Sequence, residues 1–460
     1  MRTSLFYSAL LYLLFVQATC AGNPRGTKEG TGHWEAGVAR KVITPEYTMW
    51  LAGYARRTEP SQGKLHDLWA KALVIKDEQG NQAVLVTTDL LGMTRELSHR
   101  IKSRLKDKHG LSVDQVLINS SHTHSGPVLE NSAFDMYPLE DHELDKIEKY
   151  TSWLEEQILE LVSEAYVSME PVKIFAENGV TRFQVNRRSN SEKSLLEQTE
   201  LKGPNDYAVP VMKVEDMSGQ MKVIVFGYAC HPTVLSHQLW SGDYPGFAQI
   251  ELEKQYPGTL AMFLQGAGAD QNPLPRHMVS LAQQYGRELA AAVDRVLHEQ
   301  MRGLSPELIT SYTETEVPFS GIPSRIELEE VMESGKDYEA RWAARMLQKL
   351  EKGETFEKSY PVPLQYWQLG DQQIFAMGGE VVIEYAIKLK QLFGLNAFVF
   401  GYTNDVMSYI TTAAMIEEGG YEVISSQRAF GLPAPWDPVI ESLILTDFIE
   451  LTEKTHRHAE

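Results

Sequence analysis

Two histidines stand one residue apart in VLINSSHTHSGP, where a run of β-branched and apolar residues gives way to a Gly-Pro turn. Side chains at i and i+2 of a strand face the same way, so His122 and His124 are expected to project together from the end of that strand. The same grammar recurs three times: His231 follows VIVFGYAC, Glu380 follows IFAMGG, and Tyr409 follows FVFGYTNDVMS. Zn²⁺ takes imidazole nitrogen and carboxylate oxygen, and a catalytic zinc keeps one position open for water. His122, His231, Glu380 and an oxygen from Tyr409 would compose such a site, each arriving on its own loop. The spacing contains neither H-E-x-x-H nor C-x-x-C, and each residue alone has a plainer reading. His231 before Pro232 can be a hydrogen-bonded structural residue, Glu380 a helix cap and Tyr409 a core aromatic. The loop QGAGADQNP lacks the lysine of a P-loop and reads as a tight turn. Its Asp270 is a candidate supporting or substrate-contacting carboxylate, and Cys230 reads as a buried apolar residue.

The elements that would position these groups follow from periodicity. QAVLVTTDLLG is a buried strand, MTRELSHRIKSRLKDKHG a helix with Leu97, Ile101 and Leu105 on one face and Gly110 as its stop, and VDQVLINSSHTH a second strand. This βαβ unit sets Asp89 and His122 at the carboxyl edge of neighbouring parallel strands. A long amphipathic helix is predicted over 142–166, a hairpin over AVPVMKVE and KVIVFGYACH, a strand at TLAMFLQ, and an exposed charged helix over 326–352. QQIFAMGGEVVIEYAIKLKQLFG reads as strand, turn, helix, with another strand at AFVFGYTND. The expected architecture is α+β: one large domain of mixed sheets flanked by helices, with the site at strand ends.

Composition narrows the function classes. A formal charge of −19 over 460 residues disfavours nucleic acid, since an acidic surface repels phosphates. The first 21 residues carry one arginine, an apolar run from Leu5 to Val16 and small residues around Cys20, the layout of a secretory signal. A lipid anchor at Cys20 is the minor alternative, and secreted or periplasmic placement is expected. Residues 22–32 read as a polar, disordered lead-in, 33–450 as the folded domain and 451–460 as a polar tail. With Cys20 gone, Cys230 is the remaining cysteine, and no internal disulfide is expected.

The segments NSSHTHSGP, VNRRS, YACHPTVLS with SGDYPG, MGGE, and SYITT followed by GGYE occur in this order and together resemble the neutral, non-lysosomal ceramidases. The resemblance runs from about Trp34 to Pro433. It implies one Zn²⁺ per chain held by His122, His231, Glu380 and Tyr409, with His124, Arg187 and Tyr421 disposed around the scissile carbonyl. Two departures stand out. The family's C-terminal immunoglobulin-like domain is not expected here, and where some members carry a serine proposed as nucleophile this chain has Asp270, Gln271 and Asn272. The expected chemistry is therefore hydrolysis of a linear N-acyl amide, ceramide-like, by water whose pKa zinc lowers from about 15.7 toward roughly 7. His124, Tyr421 and Arg187 would stabilise the oxyanion, and His124, with an unperturbed pKa near ~6.5, would shuttle the proton. The partner is a small-molecule or lipid amide, with transient membrane-surface contact for a lipid. Two alternatives remain: an amide- or ester-bearing carbohydrate as substrate, and a catalytically silent binding protein of the same fold. Met136, Tyr137, Phe247 and Trp436 are candidates for a lipid groove or for core.

Overall fold

The computed structural model describes residues 32–458 apart from Ala133, Ser194, Leu196 and Lys336. The expected signal, Cys20 and nearly all of the lead-in lie outside the described residues.

Two sheets pack face to face, with helices on both outer sides. The larger follows the order Leu260–Gln265, Met221–Tyr228, Ala208–Asp216, Glu170–Val180, Trp34–Val42, Trp69–Lys76, Gln82–Thr88, Val116–Ser120. The smaller follows Leu308–Pro318, Ser359–Leu369, Gln372–Met377, Phe398–Phe400. Strand Trp69–Lys76 explains the layering. Its Leu73 and Ile75 point into the space between the sheets, against Trp367, Leu369, Ile374 and Phe400. Its Ala70, Ala72 and Val74 point the other way, to Leu97, Ile101, Leu154 and Ile158 of helices Arg95–His109 and Asp141–Val167. A strand buried on both faces reads as a continuous apolar run. Helices Asp243–Gln255 and Val279–His298 cover the rest of that outer face through Leu252, Leu289 and Val293. Tyr385, Leu389, Ile444 and Phe448 of Ile383–Phe393 and Ile440–His458 cover the smaller sheet.

The predicted βαβ unit forms. Gln82–Thr88 and Val116–Ser120 pair in parallel, and the helix between them starts where the Thr94 side chain accepts from Leu97 N–H and stops at Gly110, φ 73. Two further parallel pairs end on the same side: Met221–Tyr228 with Leu260–Gln265, and Gln372–Met377 with Phe398–Phe400. The edge strands of the larger sheet also meet. Gln265 N–H donates to Asn119 Oδ1 at 2.8 Å, while Asn119 Nδ2 donates to the Gly401 carbonyl at 2.8 Å and to Thr403 Oγ1 at 3.2 Å. One buried asparagine thus joins both edges to the smaller sheet, three residues before His122.

Two expectations change. The charged segment over 326–352 is two helices, Arg325–Ser334 and Asp337–Glu351, and not one exposed helix. Its apolar positions at helical spacing, Leu328, Trp342, Ala343 and Met346, form a small core of their own beneath the charges. The last helix runs through position 450 to His458, and Leu451 is buried, so the residues read as a polar tail begin inside a packed helix. Met136, Tyr137 and Trp436 are core residues; Phe247 is partly buried against the core beneath Asp243–Gln255.

Candidate metal centre and its surroundings

The three parallel strand pairs deliver the candidate residues to one place. His122 follows Val116–Ser120 in a left-handed conformation, φ 62. Its Nδ1 lies 2.6 Å from the Leu91 carbonyl, beyond the end of the adjacent strand. A carbonyl can only accept, so Nδ1 carries the proton and Nε2 presents a lone pair. His231 repeats the arrangement, with Nδ1 3.3 Å from the Gly268 carbonyl. The Nε2 atoms then converge: His122 is 3.1 Å from His231 and 3.2 Å from His124. Glu380 Oε2 lies 3.2 Å from His122 Nε2 and 3.5 Å from His231 Nε2.

Lone pairs at such separations repel unless a cation or proton lies among them. Burial and the neighbouring His122, with Arg187 adding to both, push the His124 and His231 imidazoles well below their ordinary pKa, which disfavours the proton. Glu380 Oε2 is buried without a hydrogen-bond partner. The donor set, three imidazoles whose ligand atoms lie within 4.8 Å of one another and a carboxylate beside them, therefore fits a divalent metal.

Glu380 does not cap the helix that follows it. That task falls to Asp270, whose Oδ1 accepts from Ile383 N–H at 3.0 Å and whose Oδ2 accepts from Asn186 Nδ2 at 2.8 Å. Asp270 is fully buried and occupied as a brace. Glu380 instead pairs in parallel with Tyr409 along a two-residue ladder, and its N–H donates to the Ser408 carbonyl at 2.7 Å. The Tyr409 hydroxyl accepts from Arg187 Nη2 at 3.1 Å, and Arg187 Nε donates to Glu422 Oε1 at 3.0 Å. Burial opposes the Arg187 charge, but Tyr409 and Glu422 outweigh it and hold the guanidinium protonated. Tyr421, 48% exposed, stands at the rim with its ring 5.7 Å from that of Tyr409. Cys230 is buried.

His124 differs from the expected freely titrating imidazole, because burial keeps it neutral. Its ring rests on Tyr54 at 4.7 Å, and its carbonyl accepts from Arg57 Nη2 at 2.7 Å. Gly53, φ 96, passes so close that a Cβ there would sit 2.4 Å from His124 Nδ1. Sequence reasoning missed Asn119, Gly53, Tyr54, Arg57, Tyr402 and Glu422. Glu422, adjacent to Tyr421 and salt-bridged to both Arg187 and Arg188, was the one with a local signal.

Residues 34–271, just over half of the chain, match the family model described as neutral/alkaline non-lysosomal ceramidase, N-terminal. The chain belongs to the neutral/alkaline non-lysosomal ceramidase family. Among curated proteins, neutral ceramidase B of Dictyostelium discoideum is 29% identical over 248 residues, 49% of this chain and 33% of that protein. Neutral ceramidase of Drosophila melanogaster is 26% identical over 232 residues, 48% of this chain and 32% of that protein. The matches thus cover about a third of the length of these ceramidases. The crystal structure of neutral ceramidase from Pseudomonas aeruginosa superposes with a TM-score of 0.71 at 19% identity, covering 92% of this chain and 74% of that one. At that identity it shows a shared ceramidase fold. His122, His124, Arg187 and His231 lie within the matched ceramidase segment; Glu380, Tyr409 and Tyr421 lie beyond it.

Proposed function

We propose that this chain is a zinc-dependent amidohydrolase that cleaves the amide bond of an N-acyl lipid of the ceramide type. The observation that carries the reading is the convergence of three imidazoles and the Glu380 carboxylate beside an Arg187–Tyr409 pair, in a chain of this family. His122, His231, Glu380 and Tyr409 would hold the ion. Bound there, zinc would acidify a water and polarise the substrate carbonyl.

The protein groups supply the rest. Arg187, charged and held by Glu422, and the hydroxyl of Tyr421 are donors for the oxygen that gains charge as the amide carbon becomes tetrahedral. Nε2 of His124 starts unprotonated, so it can take the proton lost by the attacking water and pass it to the leaving nitrogen. The products are a carboxylate and an amine. Asp270 braces the Arg187 loop, whose N–H donates to the Asp270 carbonyl at 2.8 Å. Export is proposed on the N-terminal 21 residues and is checked by N-terminal sequencing of the protein recovered outside the cytoplasm. Among the described residues no helix is long and apolar enough to cross a membrane.

The test pairs metal analysis of the purified protein with hydrolysis of a fluorogenic N-acyl sphingosine. One zinc per chain and amide cleavage are expected. His122→Ala should lose metal and turnover together, while His124→Ala should keep metal and lose turnover. Zinc without cleavage would sink the substrate, and normal zinc in His122→Ala would sink the site.

A further inference from the structure

Arg57 closes the segment GYAR and is 4% exposed, a guanidinium buried beside the candidate site. Its Nη2 donates to the His124 carbonyl at 2.7 Å, and its Nη1 donates to the His237 carbonyl at 3.0 Å and to Gln238 Oε1. None of these acceptors is a carboxylate, and Nε is buried without a partner. A cation held in this way is costly, and an apolar side chain of similar size would avoid the cost.

The bonds share a target. His124 lies on the loop after strand Val116–Ser120, and His237 and Gln238 lie on the loop that leaves His231. The guanidinium also stands over the Tyr54 ring, 5.2 Å from its centroid, and that ring lies 4.7 Å from the His124 imidazole with a tilt of 53°. The Tyr54 hydroxyl donates to the Leu235 carbonyl at 2.9 Å, which ties the ring to the same loop as Arg57. His124 is thus held twice, at its backbone by Arg57 and at its ring by Tyr54.

We propose that Arg57 is a positioning residue for His124: its fork joins the His124 backbone to the loop after His231 and holds Tyr54 as the wall on which the imidazole rests. The proposal rests on the reading of His124 as the proton carrier. Lysine would keep the charge but not the planar fork that serves several acceptors at once. A catalytic group displaced by about 1 Å loses on the order of 10²-fold in rate.

The experiment compares full-length wild type with Arg57→Lys by zinc content, by kcat and KM on a fluorogenic N-acyl sphingosine, and by carbethoxylation of the metal-free proteins with diethyl pyrocarbonate, read at each histidine by mass spectrometry. Arg57→Lys should keep its zinc and lose about 10²-fold in kcat, with KM little changed. His124 should be modified several-fold faster than in wild type, with His122 and His231 unchanged. In a His124→Ala background the further loss of kcat from Arg57→Lys should vanish; its persistence at full size would overturn the link to His124. A folded, zinc-loaded Arg57→Lys protein with wild-type kcat and wild-type modification of His124 would overturn the proposal, and so would loss of zinc together with turnover. If Arg57→Lys does not fold, Tyr54→Leu removes the wall and should show the same selective loss, while Tyr54→Phe keeps the ring and should stay near wild type; equal behaviour of the two would overturn the proposal. A wild-type protein that cleaves no amide would remove the reaction, and the modification of His124 would still decide whether Arg57 positions it.

Discussion

Gly53→Ala tests whether the orientation of His124 governs turnover. A Cβ at Gly53 would stand 2.4 Å from Nδ1, 2.5 Å from Cγ and 2.9 Å from Cβ of His124. Ordinary contact begins near 3.4 Å, so the ring must retreat by about 1 Å, and a misplacement of that size costs on the order of 10²-fold in rate. The backbone adds strain, since φ is 96 there, and together the two effects should lower stability by about 1–3 kcal/mol. Leu91, Gly268 and Ser408, which hold His122, His231 and Glu380, are untouched, so zinc content should not change. Gly80→Ala is the matched control: φ is 89, but a Cβ meets nothing within 4 Å. It should share the strain and keep full turnover. The assay is kcat on a fluorogenic N-acyl sphingosine at saturating zinc, beside chemical denaturation of both variants. A folded, zinc-loaded Gly53→Ala protein with kcat within threefold of wild type would refute the assignment of His124.

Arg187→Lys keeps the charge but loses the fork that reaches Tyr409 and Glu422 at once; kcat should fall about 10²- to 10³-fold with little change in melting temperature. Asn119→Leu leaves the buried Gln265 N–H without its partner, while the Gly401 carbonyl keeps the Thr403 hydroxyl, and should cost about 1–3 kcal/mol of stability by urea denaturation. Burial, reinforced by Glu96 and Glu314, raises the Asp405 carboxyl to about 7 despite its bond from Tyr360. Folded protein then holds a proton that the unfolded chain has released above about pH 4, so this group's contribution to stability declines as pH rises from about 4 to 7. Asp405→Asn should therefore be more stable than wild type at pH 8 and nearly equal to it at pH 4; a stability difference that does not change between these pH values would contradict this.

The sequence exposed the strand ends and hid what lies between them. Apolar runs ending in His122, His231 and Glu380 are visible because a strand buried on both faces leaves a continuous signature, and the first polar residue after it marks the carboxyl edge. That edge is shared by neighbouring parallel strands, so local patterns sufficed to bring four groups together. Tyr402 and Asn119 gave no such signal. An asparagine inside VLINSS reads as a flaw in the strand until its bonds to Gln265 and Gly401 are seen, and Tyr402, at φ 53, is bonded through its backbone to Gly379 and Ser120, which are distant in sequence. The helix over 326–352 was misread for the opposite reason: its charges dominated the composition while the narrow stripe of Leu328, Trp342 and Met346 did the packing. The capping role suggested for Glu380 failed because Asp270, over a hundred residues away, occupies that helix end.

The histidines descend from the larger sheet, and Glu380 and Tyr409 from loops after the smaller one. An ion held by all of them would be a rivet through both layers, and its binding free energy would be shared with the apolar seam between them. Chelation should then be felt far from the site, as faster amide exchange along strands such as Gln372–Met377 that touch no ligand directly. The half of the chain most similar to its relatives supplies the imidazoles but not the carboxylate. Sequence drift in the second half would thus be read out first as altered metal retention, with the first sheet still folding around three intact histidines.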